Sequence, residues 1–228
     1  MSGWSTAPAS VYSLIPMLAD EIDDLLSRSV ALMADGRIDD AVSLLLPALD
    51  SAEARADHES ASLLACMIAS LQVARGAPLT ALDFHLRAEA HAPLDRRLQL
   101  NTAFHLLDGL DRPDATLEKL QAMASSDPPL SAVERHTAQA LAGRAYFRRN
   151  ETTEAILALH DLFHSMDATP AESCDLYLVA ALIERSLDLM TCQRYLDSVT
   201  AKLDREQVDN QQIRQRITEL RARIPHPT

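Results

Sequence analysis

Glycine and aromatic residues are both scarce in this 228-residue chain, which has 5 Gly and 4% Phe, Trp and Tyr. Sandwiches, barrels and βαβ folds draw on glycine turns and on aromatic or β-branched strands, so this composition argues against all three. Five scattered glycines build no phosphate-cradling loop, and no Gly-x-Ser-x-Gly or kinase pattern occurs. Cysteine is nearly absent too. Cys66, Cys174 and Cys192 show no Cys-x-x-Cys spacing and no histidine at zinc-finger distance. Each sits among apolar neighbours and reads as a small core residue in a reducing compartment. No apolar run reaches the roughly 18 residues of a membrane span. The N-terminus, MSGWSTAPAS, lacks the basic and apolar regions of a secretory signal. The expectation is a cytoplasmic protein with no membrane insertion.

Positive charge is the other shortage: 21 Lys and Arg face 33 Asp and Glu, a net charge of −12. Such a field repels phosphate backbones and anionic bilayers, which excludes nucleic acid as a principal partner. Residues 1–50 hold eight acids against two arginines, half of the net charge. A solvated helix face accounts for this, and any partner surface at that end would be basic.

What the chain does have is Ala and Leu, within a 47% hydrophobic composition, recurring at helical spacing without sustained alternation. The pattern predicts helices near 17–34, 38–55, 58–75, 79–91, 95–109, 114–124, 131–149, 152–166, 171–187, 190–203 and 206–223. Gly36, Gly76, Pro78, Pro113, Pro128-Pro129 and Pro170 punctuate them. Pro47 falls inside the second helix and should kink it or end it early.

The helices repeat. A turn residue precedes a small residue by five positions at Gly36/Ala41, Gly76/Ala81, Leu110/Ala115, Asn150/Ala155 and, more weakly, Leu187/Cys192. Seven residues further on stand Ala48, Ala88, Ala122, Leu162 and Val199. Two helices per 34–40 residues is a solenoid spacing, because short amphipathic hairpins bury their apolar faces only by stacking. Seven residues before each turn sits a small side chain: Ser29, Ala69, Ala103, Gly143 and Ala180.

On these residues the chain resembles the tetratricopeptide-repeat (TPR) superfamily, divergently, over about 17–203. The consensus aromatic appears once, as Tyr146, and the repeat-ending proline once, as Pro93. The resemblance implies an all-α, TPR-like right-handed solenoid of about five hairpins with a C-terminal capping helix; another antiparallel helical bundle is the alternative. The expected organisation is a flexible lead at 1–16, a repeat array at 17–203, and a capping helix and tail at 204–228. The cap carries the narrow stripe Ile213, Ile217, Leu220 and Ile224. A short coiled coil is the other reading of that stripe.

In TPR proteins the first helix of each repeat lines a concave groove. Carried over, that groove shows Leu26, Val30 and Met33, then Cys66, Ser70 and Val73, then Leu100, Phe104 and Leu107. Ala140, Arg144, Phe147 and Arg148 follow, and Tyr177, Ala181 and Arg185 complete it. Phe104 and Phe147 would be anchors and the arginines a fork for an acidic group. The implied partner is a protein or peptide segment, apolar with an acidic end; a second copy of the chain or a larger assembly also fits. The Lys, Arg and Asn clamp of chaperone-binding TPR domains is missing, since Leu26, Val30, Cys66 and Ser70 occupy its positions.

No cofactor and no metal site is expected. His160 and His164 stand four apart on a helix but lack a third ligand, and His85, His91 and His105 read as structural. Asp23-Asp24 and Asp39-Asp40 fall near helix starts, where they favour the macrodipole. The sequence therefore points to a non-catalytic adaptor or dedicated chaperone. Its Ala-, Arg- and Asp-rich texture suggests, by analogy, a bacterial secretion or assembly machine. A peptide-sensing regulator and an enzyme with a site hidden between repeats are the alternatives.

Overall fold

The computed structural model describes residues 19–225; the expected lead at 1–16 lies outside them. Among the described residues there are eleven α-helices and no strand. They are α1 (Ala19–Ala34), α2 (Ile38–Ala54), α3 (His58–Ala74), α4 (Pro78–His91), α5 (Arg96–Phe104) and α6 (Pro113–Ala124). Then come α7 (Ala132–Arg148), α8 (Thr152–Ser165), α9 (Tyr177–Glu184), α10 (Leu189–Arg205) and α11 (Gln211–Ala222). Consecutive helices pack in antiparallel pairs, α1 on α2, α3 on α4, α7 on α8 and α10 on α11. Contacts divide the chain into two compact units with the boundary between Leu98 and Gln99, inside α5.

The turns explain why the hairpins close where they do. Gly36 and Gly76 end α1 and α3 with φ of +74° and +76°, the left-handed conformation that satisfies the last carbonyls. Arg37 N–H reaches back to Leu32 O at 2.8 Å, and Ala77 N–H to Gln72 O at 2.9 Å. Ala56 repeats this turn between α2 and α3, with φ +55° and its follower Asp57 bonded to Ala52 O. A Cβ in that conformation costs roughly 1–2 kcal/mol. Ala56→Gly should therefore raise the stability of the protein by about 1 kcal/mol, read as a higher urea midpoint at unchanged slope.

Four features depart from the sequence expectation. First, α2 runs through Pro47 for 17 residues. Pro47 and Ser43, whose carbonyl loses its amide partner, are both exposed, so water can take the place of the missing bond. Second, α5 ends in a π turn, His105–Gly109, in which Leu110 N–H reaches His105 O at 3.1 Å. The extra residue moves the turn from Leu110 to Asp111, φ +51°. The buried positions that follow are accordingly Thr116 and Met123, not Ala115 and Ala122. Third, 171–187 is not one helix. A 3-10 turn, Ala171–Ser173, gives way to extended Cys174, and α9 starts only at Tyr177, whose N–H bonds Asp175 Oδ1 at 2.7 Å. Its turn is made by Ser186, φ +56°, instead of Leu187. Fourth, α10 runs on to Arg205 and 206–210 is a turn, after which Asn210 caps α11 through Ile213 N–H at 3.1 Å.

Burial follows the small-residue frame. Ser29, Ala69 and Ala103 are fully buried, Gly143 is buried and Ala180 half-buried. Ala41, Ala81, Ala155 and Cys192 fill the matching positions of the second helices with no exposure at all. Small side chains here let helix axes approach, and Leu45, Leu64, Leu141, Leu159 and Leu182 fill the spaces between. In α11, Ile217 and Leu220 are buried and Ile213 partly so, and Ile224 just past the helix is partly buried too, all against the same core as α10.

Candidate functional site

The first unit exposes an apolar face on two adjacent helices. Along α1, Val30 is 44% and Met33 38% exposed, with Leu26 half-buried at the same face. Along α3, Leu63 is 46% and Val73 48% exposed, with half-buried Cys66 and Met67 and exposed Ser70 between them. Both sets follow the i, i+3/i+4, i+7 spacing of one helix side. The two helices touch and, being separated by one antiparallel helix, run in the same direction. Ser70 contributes little polarity, because its hydroxyl donates to Cys66 O at 3.1 Å. Exposed Asp23 and Glu59 stand one turn before Leu26 and Leu63, so both stripes end in a carboxylate at the same end. Leu63 and Met67 are absent from the sequence-derived set, although their spacing to Ser70 and Val73 was visible.

In the second unit the expected cationic groove is corrected. Arg144 is buried, with its side chain 8% exposed, and lies between the Phe104 and Tyr177 rings at 5.5 and 4.8 Å. Its guanidinium pairs with Asp108 and stands 3.8 Å from Asp175. Arg148 donates to the same Asp108, to Leu107 O and, at 3.2 Å, to Asp111. Arg185 stacks on half-buried Phe147 at 4.4 Å and donates to Asn150 Oδ1 at 3.1 Å. Three nearby aspartates thus meet Arg144 and Arg148, so these two arginines offer no free fork to an acidic partner. Burial raises the Asp175 carboxyl above its ordinary range, against the Tyr177 N–H and Arg144 that favour its charge.

Leu100 and Leu107 are core residues, buried with Leu120, Met123 and Leu141, and Ala140 is fully buried. They offer no surface to a partner. Phe104, at 46%, and Tyr177, at 62%, remain exposed and flank Arg144. Tyr177 also borders a cleft of ≈ 590 Å³ between the 171–177 segment and α11, with Leu176 and Ile213 as its apolar walls. Because 171–176 breaks from the repeat pattern, no periodicity in the sequence marked this cleft.

An enzyme hidden between repeats would show buried histidine together with acids. His136 is fully buried, but its ring nitrogens meet Ser165 Oγ at 3.0 Å and Tyr195 Oη at 3.2 Å. Ser165 also donates to Leu162 O at 3.1 Å, so Nδ1–H gives to Ser165 and Nε2 accepts from Tyr195. Burial, with Lys202 nearby, lowers the His136 imidazole from 6.5 to about 4. Burial pushes the Cys174 and Cys192 thiols up, to about 11 and about 12, the opposite of an activated nucleophile. Elsewhere, His160 pairs with Asp188 at 3.0 Å. Among the described residues no group of three or more His, Cys, Asp or Glu is placed to hold a metal. None of their helices is long and apolar enough to cross a membrane.

His136 should make folding acid-sensitive. Its folded pKa lies below the unfolded value, so the unfolded chain binds the extra proton. Its contribution is complete above pH 6.5 and is lost as pH falls toward 4, up to about 3 kcal/mol. Urea melts from pH 7 to 4 should show that loss in the native chain and a flatter profile in His136→Gln.

No protein-family model matches the sequence, and no curated protein matches it. A solved structure described as a MamA RS-1 ArsTM double mutant is similar over 84% of this chain and 99% of its own, with a TM-score of 0.53 and 18% identity. MamA is a TPR-repeat protein. Likeness at that identity is likeness of fold, and it agrees with the helical pairs, the left-handed turns and the small-residue crossings described above. The chain has a TPR-like, all-helical fold.

Proposed function

We propose that the protein is a non-catalytic protein–protein interaction module, an adaptor or dedicated chaperone that holds a segment of another protein. The observation that carries this reading is the paired apolar face of α1 and α3, where Val30, Met33, Leu63 and Val73 stay exposed at helical spacing. A fold able to bury 44 apolar side chains among the described residues leaves such a stripe open only at some cost in solubility, which a docking partner offsets. The partner is a segment with apolar anchors at i, i+3 and i+4 and a basic end facing Asp23 and Glu59. An acidic end is not part of the proposal, because Arg144 and Arg148 are already neutralised. A bacterial secretion or assembly machine is the setting the composition suggests.

Photo-crosslinking tests this reading. A benzoylphenylalanine at Val73 should trap one defined protein in cells of the native host, and the same group at exposed Pro47 should not. Equal trapping at both positions, or none at Val73, would overturn it.

A further inference from the structure

The open end of the α3/α4 hairpin brings two histidines together that the binding face does not use. His58 is the first residue of α3 and His91 the last of α4. Their Nδ1 atoms are 3.2 Å apart, with ring centroids at 5.4 Å and planes inclined by 36°. Two imidazole nitrogens each about 2.05 Å from a tetrahedral ion stand about 3.3 Å apart, nearly the separation observed.

The other face of His91 is also prepared. Its Nε2 lies 2.8 Å from Glu53 Oε1, and Glu53 is gripped by both arms of Arg87, with Asp50 3.3 Å from the same guanidinium. With both arms of Arg87 donating to it, the Glu53 carboxylate faces His91 as a hydrogen-bond acceptor. An ionised carboxylate accepts only, which places the His91 proton on Nε2 and leaves the Nδ1 lone pair toward His58. In the ion-free protein His58 Nδ1–H donates to that lone pair. A metal ion would take the place of this hydrogen bond, with the His58 proton carried on Nε2 and both Nδ1 lone pairs turned to the ion.

We propose that His58 and His91 form a binding site for a late first-row divalent ion such as Zn²⁺, with water in the remaining positions. Imidazole donors select Zn²⁺, Cu²⁺ and Ni²⁺ over Ca²⁺ and Mg²⁺. Glu53 and Arg87 are positioning residues, holding the His91 tautomer and ring orientation as outer-shell carboxylates do in metal sites. The bound ion would staple the start of α3 to the end of α4, opposite the Gly76 turn, and so close the hairpin at both ends. Only the neutral imidazole ligates, so protons compete with the ion for both rings and affinity falls as pH drops.

The test is a Zn²⁺ titration of the full-length, tag-free chain by calorimetry and thermal melting. The expected result is one ion per chain and a melting temperature raised by about 5 °C or more at one hundred times the Kd. His58→Ala, at an exposed position, and His91→Ala should each abolish both effects. Glu53→Gln should weaken binding about tenfold or more. His160→Ala/His164→Ala should bind as the native chain does. Unchanged Zn²⁺ binding in His58→Ala or His91→Ala, or its loss in His160→Ala/His164→Ala, would overturn the site. Unchanged affinity in Glu53→Gln would overturn the role given to the carboxylate.

Discussion

Gly143→Leu is expected to destabilise the second unit by about 4 kcal/mol, at the upper end of what one substitution does. Even a single Cβ at this position would lie 2.5 Å from Leu178 Cδ2 and 2.9 Å from Ala158 Cβ. Leu178 is fully buried and cannot swing into solvent, and Ala158 Cβ moves only with its helix. α7 must therefore separate from α8 and α9 or tilt, which opens the core those helices share. Gly143→Ala should cost less, about 1–3 kcal/mol, while Ala142→Leu, one residue away and half-buried, should be much milder. Urea melts of the three variants check the order. Equal effects at positions 142 and 143 would show that close approach is not what glycine provides here.

Arg144→Ala should cost about 3–5 kcal/mol, the range for removing one partner of a buried ion pair. The loss has two parts. Asp108 and Asp175, only 22% and 18% exposed, would lose the cation between them, and Phe104 and Tyr177 would lose the group they stack on. Arg144→Met combined with Asp108→Asn should be less harmful than Arg144→Ala, because the uncompensated charge goes with the pair. Arg144→Lys keeps the charge but loses the planar fork, and should fall between them. A double variant as unstable as Arg144→Ala would show that stacking, not charge, dominates at this site.

The sequence made the repeat legible because burial at helix crossings demands small residues at fixed spacing. Ser29, Ala69, Ala103 and Gly143 could be read directly, as could the turns at Gly36, Gly76 and Asn150. The errors arose where backbone geometry changes without a composition signal. The π turn at His105–Gly109 adds one residue, and everything counted across it slips from Leu110 to Asp111 and from Ala115 to Thr116. Gly109 marks the place, since a Cβ there would lie 2.5 Å from the His105 ring, but a lone glycine near a helix end has many other causes.

The site was half legible for a similar reason. Helical spacing identified the α1 face through Leu26, Val30 and Met33, and part of the α3 face through Cys66, Ser70 and Val73. The same spacing, applied to α5 with its π turn and to α7, placed Leu100, Leu107 and Arg144 on a surface when they are buried. A signal for Arg144 did exist. Asp39 and Arg75, Glu53 and Arg87, Asp108 and Arg144, and Asp114 and Arg149 are all paired, and each pair lies 34 to 36 residues apart. That is one repeat, so opposite charges one period apart foretell neutralisation between neighbouring hairpins.

The central claim is that the exposed face of α1 and α3 exists for a partner and not for the fold. Its most direct test is the double variant Val30→Glu/Val73→Glu, measured by thermal melting and by capture of the protein crosslinked at Val73. The account predicts a melting temperature within a few degrees of the native value, because both side chains are already about half exposed. It also predicts loss of capture by tenfold or more, as truncated or charged anchors in a docking surface give. A variant that melts far earlier, or that captures the partner as the native chain does, would contradict it.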